Sequence, residues 1–234
     1  MKKILLQGAM EPETAFFIQE VKKLPDYQCV NLDGQIYHQG TSGDMTVIVN
    51  TTGMGTVKAS MATTYALHTL HPTMVINQGT AGGQVRELST GDVVLVYEAV
   101  NINILNMPKK KMGEGSDPFS WNCEDKVYYK SDDRLFHFFV DHEADYSAGK
   151  IMRGRVATGD IYSREDDRII WLEEQYHTLC EDMESAAVFE VCSYFQTPCM
   201  GLRVISNNEL LDEKFNKETS TLLQEYIWKL LPLM

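Results

Sequence analysis

The residues of this chain best suited to chemistry are carboxylates that lie close to glycine-rich turns. Glu13 follows the turn at 8–10, and Glu184 ends the segment Asp-Met-Glu at 182–184. Arg203 and Asn207 flank a short apolar stretch later in the chain. Carboxylates supply general acids, general bases and stabilisation of developing positive charge. The pattern therefore predicts an enzyme that uses acid–base chemistry.

Glycine-rich turns occur at 8–10, 52–55 and 79–83, each directly after a short β-type run. In an open α/β sheet, such turns cluster at the carboxyl ends of the strands, where ligands bind and backbone N–H groups can approach them. The turn at 79–83 lacks the third-glycine spacing of a dinucleotide site, and the chain has no Gly-Lys-Ser/Thr of a P-loop. We therefore expect neither a nicotinamide nor an ATP cofactor.

Short apolar runs alternate with longer helical patterns along the chain. Runs that are apolar almost throughout predict strands of a sheet covered on both faces, and their alternation with helices predicts an α/β layered fold. The predicted strands are 3–6, 45–50, 74–78, 93–97 and 199–205, the predicted helices are 13–23, 56–70, 183–195 and 216–231, and a long loop is predicted at 106–125.

Composition narrows the class of protein further. The 234 residues are enough for one core, so we expect a single domain over 1–234. The formal net charge of −12 disfavours nucleic acid as a partner. The five cysteines form no CxxC pair and the histidines no ligand set, which favours a reduced chain without a metal. No segment approaches the roughly 18 apolar residues of a membrane span, and no signal peptide is apparent, so we expect a cytoplasmic protein without membrane contact.

Six short motifs follow one another in a characteristic order: GAMEPE at 8–13, TTGMG at 51–55, NQGTAGG at 77–83, TGD at 158–160, DMESAA at 182–187 and RVISN at 203–207. Together they resemble the 5′-methylthioadenosine/S-adenosylhomocysteine nucleosidases, within the nucleoside phosphorylase and nucleosidase superfamily. The resemblance implies a three-layer α/β/α domain with a central twisted mixed β-sheet, nucleoside phosphorylase-like. It also implies a homodimer that hydrolyses the bond between purine and ribose in methionine salvage.

Hydrolysis of an N-glycosidic bond passes through an oxocarbenium-like sugar, so a site must stabilise a cationic ribose and deliver a nucleophile. The resemblance implies that Glu13 is the general base, that Thr80 and Arg203 hold the attacking water, and that Glu184 accepts from the ribose hydroxyls above Met183. Each residue also has a plain structural alternative. Glu13 and Glu184 could be helix N-terminal charges. Arg203 could pair with a buried carboxylate, a role compatible with holding the water.

Further residues are assigned to substrate binding by the same resemblance. Tyr162 falls where the family places a ring against the purine, Ser163 where backbone groups bond the purine edge, and Met54 where the 5′-substituent lies. A core role for Tyr162 or Met54 is the alternative. The remaining predicted binding residues are Ala9, Met10, Ala81, Gly82 and Ser206.

Asn207 departs from the family, which places an aspartate here to protonate nitrogen 7 of the leaving adenine. An amide donates a hydrogen bond but gives up no proton at neutral pH. Asn207 can face adenine in a bidentate way, or, turned over, can donate to a 6-oxopurine as the resemblance to futalosine hydrolases suggests. Segment 100–103 also departs from the family, so the base and the 5′-group both stay open.

The choice of nucleophile rests on charge. Phosphorolysis needs a phosphate dianion held by cations and backbone N–H groups, and none of the three glycine-rich turns contains Arg or Lys. Water is therefore the expected nucleophile, and a purine nucleoside hydrolase is the leading hypothesis. A nucleoside phosphorylase, and a non-catalytic nucleoside-binding protein favoured by Asn207, are the alternatives.

Overall fold

A computed structural model of the protein describes residues 2–106, 109–115, 122–123 and 127–234. Its strands are β1 (Lys2–Gly8), β2 (Gln28–Leu32), β3 (Gln35–Ser42), β4 (Met45–Thr51), β5 (Met74–Gly83), β6 (Val93–Asn101), β7 (Leu105–Asn106), β8 (Asn122–Cys123), β9 (Tyr128–Lys130), β10 (Ile151–Thr158), β11 (Thr178–Asp182) and β12 (Cys199–Asn208). Its α-helices are α1 (Ala15–Lys22), α2 (Thr56–Tyr65), α3 (Asp133–Asp141), α4 (Asp166–Tyr176), α5 (Ser185–Tyr194) and α6 (Thr219–Leu230).

The main sheet is mixed and strongly curved. It is 10-stranded, in the order β11-β10-β6-β12-β5-β1-β4-β3-β2, with β9 paired to β6. Strands β4, β1, β5 and β12 are mutually parallel and end at one edge. β11 pairs antiparallel with the end of β5, which closes β5, β12, β6, β10 and β11 into a ring. The end of β11 therefore reaches the same edge as the end of β5.

Alternation along the central strands sends side chains into two separate cores. Ile4 and Leu6 of β1 pack in one core with Phe17 of α1 and residues of α3 and α6. Leu5, between them, packs in the other core with Ala59 of α2 and residues of α5. The sheet is thus covered on both faces, which confirms the predicted three-layer α/β/α architecture.

The predicted strands are all present, and most of them extend beyond their apolar runs toward the edge where β1, β4, β5 and β12 end. The pattern over 56–70 divides into α2 and a π-helical turn at Ala66–Leu70. Strands β2, β3, β9, β10 and β11 and helices α3 and α4 were not predicted. Of the predicted loop at 106–125, residues 107–108, 116–121 and 124–125 lie outside the described residues, and β7 pairs with β8 across it. Over the described part of the chain, no helix is long and apolar enough to cross a membrane.

Candidate active site

A cavity of about 460 Å³ opens where β1, β5, β11 and β12 end. With the exception of Arg203, every residue predicted to act on or bind the substrate lines it. The lining comprises Ala9, Met10, Glu13, Met54, Thr80, Ala81, Gly82, Gly83, Gln84, Ile161, Tyr162, Ser163, Ile169, Glu181, Asp182, Met183, Glu184, Ser206, Asn207, Glu209 and Phe215.

Glu13 holds a buried carboxylate that accepts four hydrogen bonds. Its Oε2 accepts from the backbone N–H groups of Ala9 at 2.7 Å and Met10 at 3.0 Å. Its Oε1 accepts from both the N–H and the hydroxyl of Thr80, each at 2.8 Å. The two ends of the carboxylate thus join the turn after β1 to β5. Of the four donors, the Thr80 hydroxyl is the one that can rotate away, so a water could take its place.

The backbone around Glu13 is built to admit that side chain. A Cβ on Gly79 would lie 2.9 Å from the Glu13 carboxylate oxygen, closer than real contacts allow. Because residue 79 is a glycine, the Glu13 carboxylate has the space to reach Thr80. The Gln78 amide donates to the Glu13 carbonyl at 2.6 Å, which holds the turn from the other side.

Glu184 is buried at the start of α5 and faces the same cavity as Glu13. Its Oε1 accepts from the N–H of Gly55 at 2.8 Å. Gly55 has φ +99°, a conformation that favours glycine, and the next residue, Thr56, donates its N–H and hydroxyl to Asp160 at 2.7 and 2.6 Å. Burial, and secondarily the negative charge of Asp182, raise the pKa of the Glu184 carboxyl to about 8.

Arg203 lies behind the cavity rather than in its wall. Its Nε donates to Asp182 at 2.6 Å, and its other nitrogens donate to the side chain and carbonyl of Asn77 and to the Leu202 carbonyl. Thr158 also donates to Asp182, at 2.6 Å. The buried pair therefore anchors β11 against β5 and β12, and breaking such a pair typically costs about 3–5 kcal/mol. Arg203 therefore has the pairing with a buried carboxylate that the sequence allows as its structural role.

A β-bulge in β12 sends two consecutive side chains toward the cavity. The register to β5 shifts between Ile205 and Asn207, and both Ser206 and Asn207 line the cavity although neighbours in a regular strand point to opposite faces. The Ser206 hydroxyl lies 2.9 Å from Asn207 Oδ1, and Asn207 Nδ2 donates to Glu209 at 3.2 Å.

The rest of the wall combines apolar side chains with further polar ones. Met54 and Tyr162, which sequence reasoning assigned to the 5′-group and the purine, are exposed at the rim. Two further lining residues, Gly83 and Asp182, belong to the motifs at 77–83 and 182–187 but are not predicted to bind the substrate. The other unpredicted lining residues lie outside the motifs and are Gln84, Ile161, Ile169, Glu181, Glu209 and Phe215. Segment 100–103 does not line the cavity, since Val100 and Ile102 pack in a small core with Leu172 of α4.

Comparison with known proteins agrees with this architecture. The chain matches the family described as the Phosphorylase superfamily over residues 3–231. A 5′-methylthioadenosine/S-adenosylhomocysteine nucleosidase of Shewanella loihica is 31% identical over 212 residues, which cover 88% of this chain and 86% of the relative. A solved structure of a futalosine hydrolase mutant of Helicobacter pylori has a TM-score of 0.82 to this chain at 22% sequence identity. A structure of a 5′-methylthioadenosine/S-adenosylhomocysteine nucleosidase of Neisseria meningitidis in complex with methylthio-immucillin-A has the same TM-score at 20% identity. Each match covers 100% of both chains.

Proposed function

Because this chain belongs to the Phosphorylase superfamily, we propose that it is a purine nucleoside hydrolase, an N-glycosyl hydrolase that cleaves the bond between purine and ribose. Methylthioadenosine and S-adenosylhomocysteine are the proposed substrates, since the relative from Shewanella loihica is named for both. The apolar side chains of Met10, Met54 and Phe215 in the cavity wall suit a purine and the thioether that both nucleosides carry at the 5′ position.

The observation that carries this proposal is the charge of the cavity wall. Within the described residues, the lining includes the carboxylates of Glu13, Glu181, Asp182, Glu184 and Glu209 and no lysine or arginine. Glu181, Asp182 and Glu209 are each paired with an arginine that does not line the cavity. Glu13 accepts only from neutral donors, so its negative charge can stabilise a ribosyl group that becomes cationic and repel a phosphate dianion. Water therefore suits this site as the nucleophile better than phosphate does.

The geometry suggests a role for each polar group. Glu13 is proposed to take a proton from a water that replaces the Thr80 hydroxyl on its Oε1. Glu184 is proposed to accept from the ribose hydroxyls, and these hydrogen bonds strengthen as the ring gains positive charge. Arg203 is proposed to act through Asp182, because each of its three nitrogens donates to a protein acceptor and because Asp182 precedes the segment that carries Glu184.

The proposal is tested by incubating the protein with adenosine, inosine, methylthioadenosine, S-adenosylhomocysteine and futalosine, with and without phosphate. A hydrolase releases free base and a reducing sugar at a rate that does not depend on phosphate. Release that requires phosphate would identify a phosphorylase instead.

A second function is favoured by Asn207 alone. Without a proton donor at this position, the protein could bind purine nucleosides and cleave them slowly or not at all. In that case calorimetry would detect nucleoside binding while the same panel shows no base release.

Proton release on binding tests the role of Glu184. With a pKa of about 8, its carboxyl is largely protonated in the free protein at neutral pH. Ribose hydroxyls that donate to it favour the ionised form and lower this pKa, so binding of a C-nucleoside should release up to one proton near neutral pH and none well above pH 8. Calorimetry at one pH in Tris and in MOPS measures this release as a difference in binding enthalpy.

The matched control is Glu184→Gln, for which the binding enthalpy should no longer depend on the buffer. By the same reasoning, kcat/KM of the native protein should fall as the pH drops below about 8. Equal enthalpies in both buffers for the native protein would count against a proton-linked Glu184.

We further propose that the protein is a cytoplasmic homodimer that serves methionine salvage. Asp160 accepts a hydrogen bond from the Thr56 hydroxyl, and its N–H donates to the Asn103 side chain. These hydrogen bonds bring together three chain segments, and the next residue of each segment is apolar: Val57, Ile104 and Ile161. Their side chains are 78%, 51% and 53% exposed. Ile161 also lines the cavity, and exposed apolar side chains that form a patch mark a candidate interaction surface. The cysteine side chains described are free thiols, which suits a reducing compartment.

The dimer is tested with Val57→Asp, which puts a charge into the proposed interface. Sedimentation velocity should show a dimer for the native protein and a monomer for the variant. Lys58→Asp, on the same turn of α2, is the control for added negative charge, and it should leave the dimer intact. A native protein that sediments as a monomer would rule the proposal out.

A further inference from the structure

Glu209 lines the cavity two residues beyond Asn207, at the start of the 3₁₀ turn Glu209–Leu211. Its carboxylate is held by Arg164 through two parallel hydrogen bonds, Nε to Oε1 at 3.0 Å and a terminal nitrogen to Oε2 at 2.9 Å. Oε1 also accepts from Asn207 Nδ2 at 3.2 Å. A bidentate pair of this kind fixes the plane of the carboxylate, so Glu209 presents a fixed acceptor to Asn207.

This acceptor decides which way the Asn207 amide points. The other neighbour of the amide, the Ser206 hydroxyl, has two acceptors in reach, Asn207 Oδ1 at 2.9 Å and the Ala81 carbonyl at 3.2 Å. Ser206 can therefore serve either orientation of the amide. A carboxylate paired with arginine only accepts, so a turned amide would bring two acceptor oxygens together at the present Nδ2–Oε1 position.

We propose that Glu209, held by Arg164, is a specificity-determining residue that sets the base preference of the site by fixing the Asn207 amide. This inference rests on the proposed function, and it concerns a residue that no sequence motif singled out. With one Nδ2 hydrogen engaged by Glu209, the amide offers the base one N–H and one oxygen.

That pair of groups matches a 6-aminopurine. Nitrogen 7 accepts the free N–H, and the exocyclic amine donates to Oδ1, which is the bidentate contact that asparagine makes with adenine. A 6-oxopurine presents two acceptors along the same edge, nitrogen 7 and the oxygen at position 6. With the amide fixed by Glu209, Oδ1 would face the oxygen at position 6, which places two acceptors against each other. The site therefore selects 6-aminopurine nucleosides over their 6-oxo counterparts.

The test is Glu209→Gln. Arg164 donates to both oxygens of Glu209, so a glutamine here places its NH₂ against one Arg164 nitrogen in either orientation. The pair is weakened, and the Asn207 amide is no longer held in one orientation. The ratio of kcat/KM for methylthioadenosine to that for methylthioinosine should fall about 10-fold or more, the discrimination that one bidentate contact supplies. An effect on stability alone would lower both rates together and leave the ratio unchanged.

Two further variants keep the result interpretable. Glu143→Gln removes one carboxylate of another bidentate pair, Arg153 to Glu143 at 2.7 and 2.9 Å, outside the cavity lining, and should leave the ratio unchanged. Arg164→Gln frees Glu209 without removing its charge, and it should lower the ratio by less than Glu209→Gln does. If Glu209→Gln does not fold, the Arg164 variant decides the question by the same ratio.

Calorimetry with free adenine and free hypoxanthine separates this inference from the proposed function. A native protein that hydrolyses no nucleoside but prefers adenine, with the preference lost in Glu209→Gln, would refute the hydrolase and support the role of Glu209. A native protein that hydrolyses nucleosides, together with a variant whose base preference is unchanged in both rates and binding, would overturn the inference and leave the hydrolase in place.

Discussion

Glu13→Gln is expected to reduce base release by about 100-fold or more, the lower range of what a general base contributes. The substitution also disrupts the hydrogen bonds that the Glu13 carboxylate accepts. Each oxygen of Glu13 accepts two hydrogen bonds from protein donors, and an amide nitrogen cannot accept. Whichever way the glutamine turns, its NH₂ therefore faces either the N–H groups of Ala9 and Met10 or the donors of Thr80.

A loss of stability should accompany the loss of activity, because each buried donor left without a partner costs about 1–3 kcal/mol. Turnover and thermal unfolding must therefore be measured on the same preparation. Binding of a C-nucleoside, measured by calorimetry below the unfolding transition, shows whether the cavity is still formed. Activity that falls about 100-fold while binding is retained assigns the loss to the proton transfer.

Two control variants complete this experiment. Glu11→Gln changes an exposed glutamate in the same 3₁₀ turn and should change neither turnover nor stability. Thr80→Ser keeps the hydroxyl on Glu13 Oε1 and should retain most of the activity. Full turnover by a folded Glu13→Gln protein would remove Glu13 from the mechanism.

The sequence predicted those parts of the fold that are buried on both faces. Strands β1, β4, β5, β6 and β12 are apolar almost throughout because they lie between two layers of helices. Strands β2 and β3 form an antiparallel hairpin at the sheet edge, where exposed and buried positions mix. β10 carries Arg153 and Arg155, whose charges are paired with Glu143 and Glu98. Strands β2, β3 and β10 therefore contain no continuous apolar run, and the sequence does not predict them.

The cavity wall also contains residues that a sequence motif indicates and residues that no motif indicates. Most of the predicted site residues that line the wall come from motifs near strand ends, where order along the chain and position in the sheet coincide. Phe215 and Glu209 reach the wall through the path of the chain after β12, which no local pattern encodes. Arg203 and Asn207 lie in one motif, yet Arg203 turns behind the wall and Asn207 into it, because the bulge at Ser206 changes the alternation.

Asn207→Asp is expected to raise hydrolysis of methylthioadenosine by about 10-fold or more, within the range that a general acid supplies. Glu209 is the neighbour that would keep the introduced carboxyl protonated. Asn207 Nδ2 lies 3.2 Å from Glu209 Oε1, so the substitution brings two carboxyl groups into hydrogen-bond contact. Two carboxylates at this distance cannot both ionise easily, and one proton is retained between them. The introduced group would therefore hold a proton that nitrogen 7 of the leaving adenine can take.

The rate gain of Asn207→Asp should depend on pH, because the introduced carboxyl shares a proton with Glu209. The partner carboxylate raises the pKa of the introduced carboxyl, so the gain should be present at low pH and disappear as the pH rises through that raised pKa. For a 6-oxopurine the outcome reverses, because an ionised carboxylate would face the lone pairs of nitrogen 7 and of the oxygen, and activity on inosine or futalosine should collapse. Rates on both classes of substrate across pH give this comparison.

The double variant Asn207→Asp with Glu209→Gln isolates the shared proton. Glutamine can donate to the introduced carboxylate, which stabilises its ionised form and lowers its pKa. The gain on methylthioadenosine should then shift to lower pH and be lost near neutrality, although the same carboxyl is still present. An equal gain in the single and double variants would show that Glu209 does not hold the proton. A single variant unchanged on every substrate would show that residue 207 does not contact the base, and the role transferred to this position from the family would have to be withdrawn.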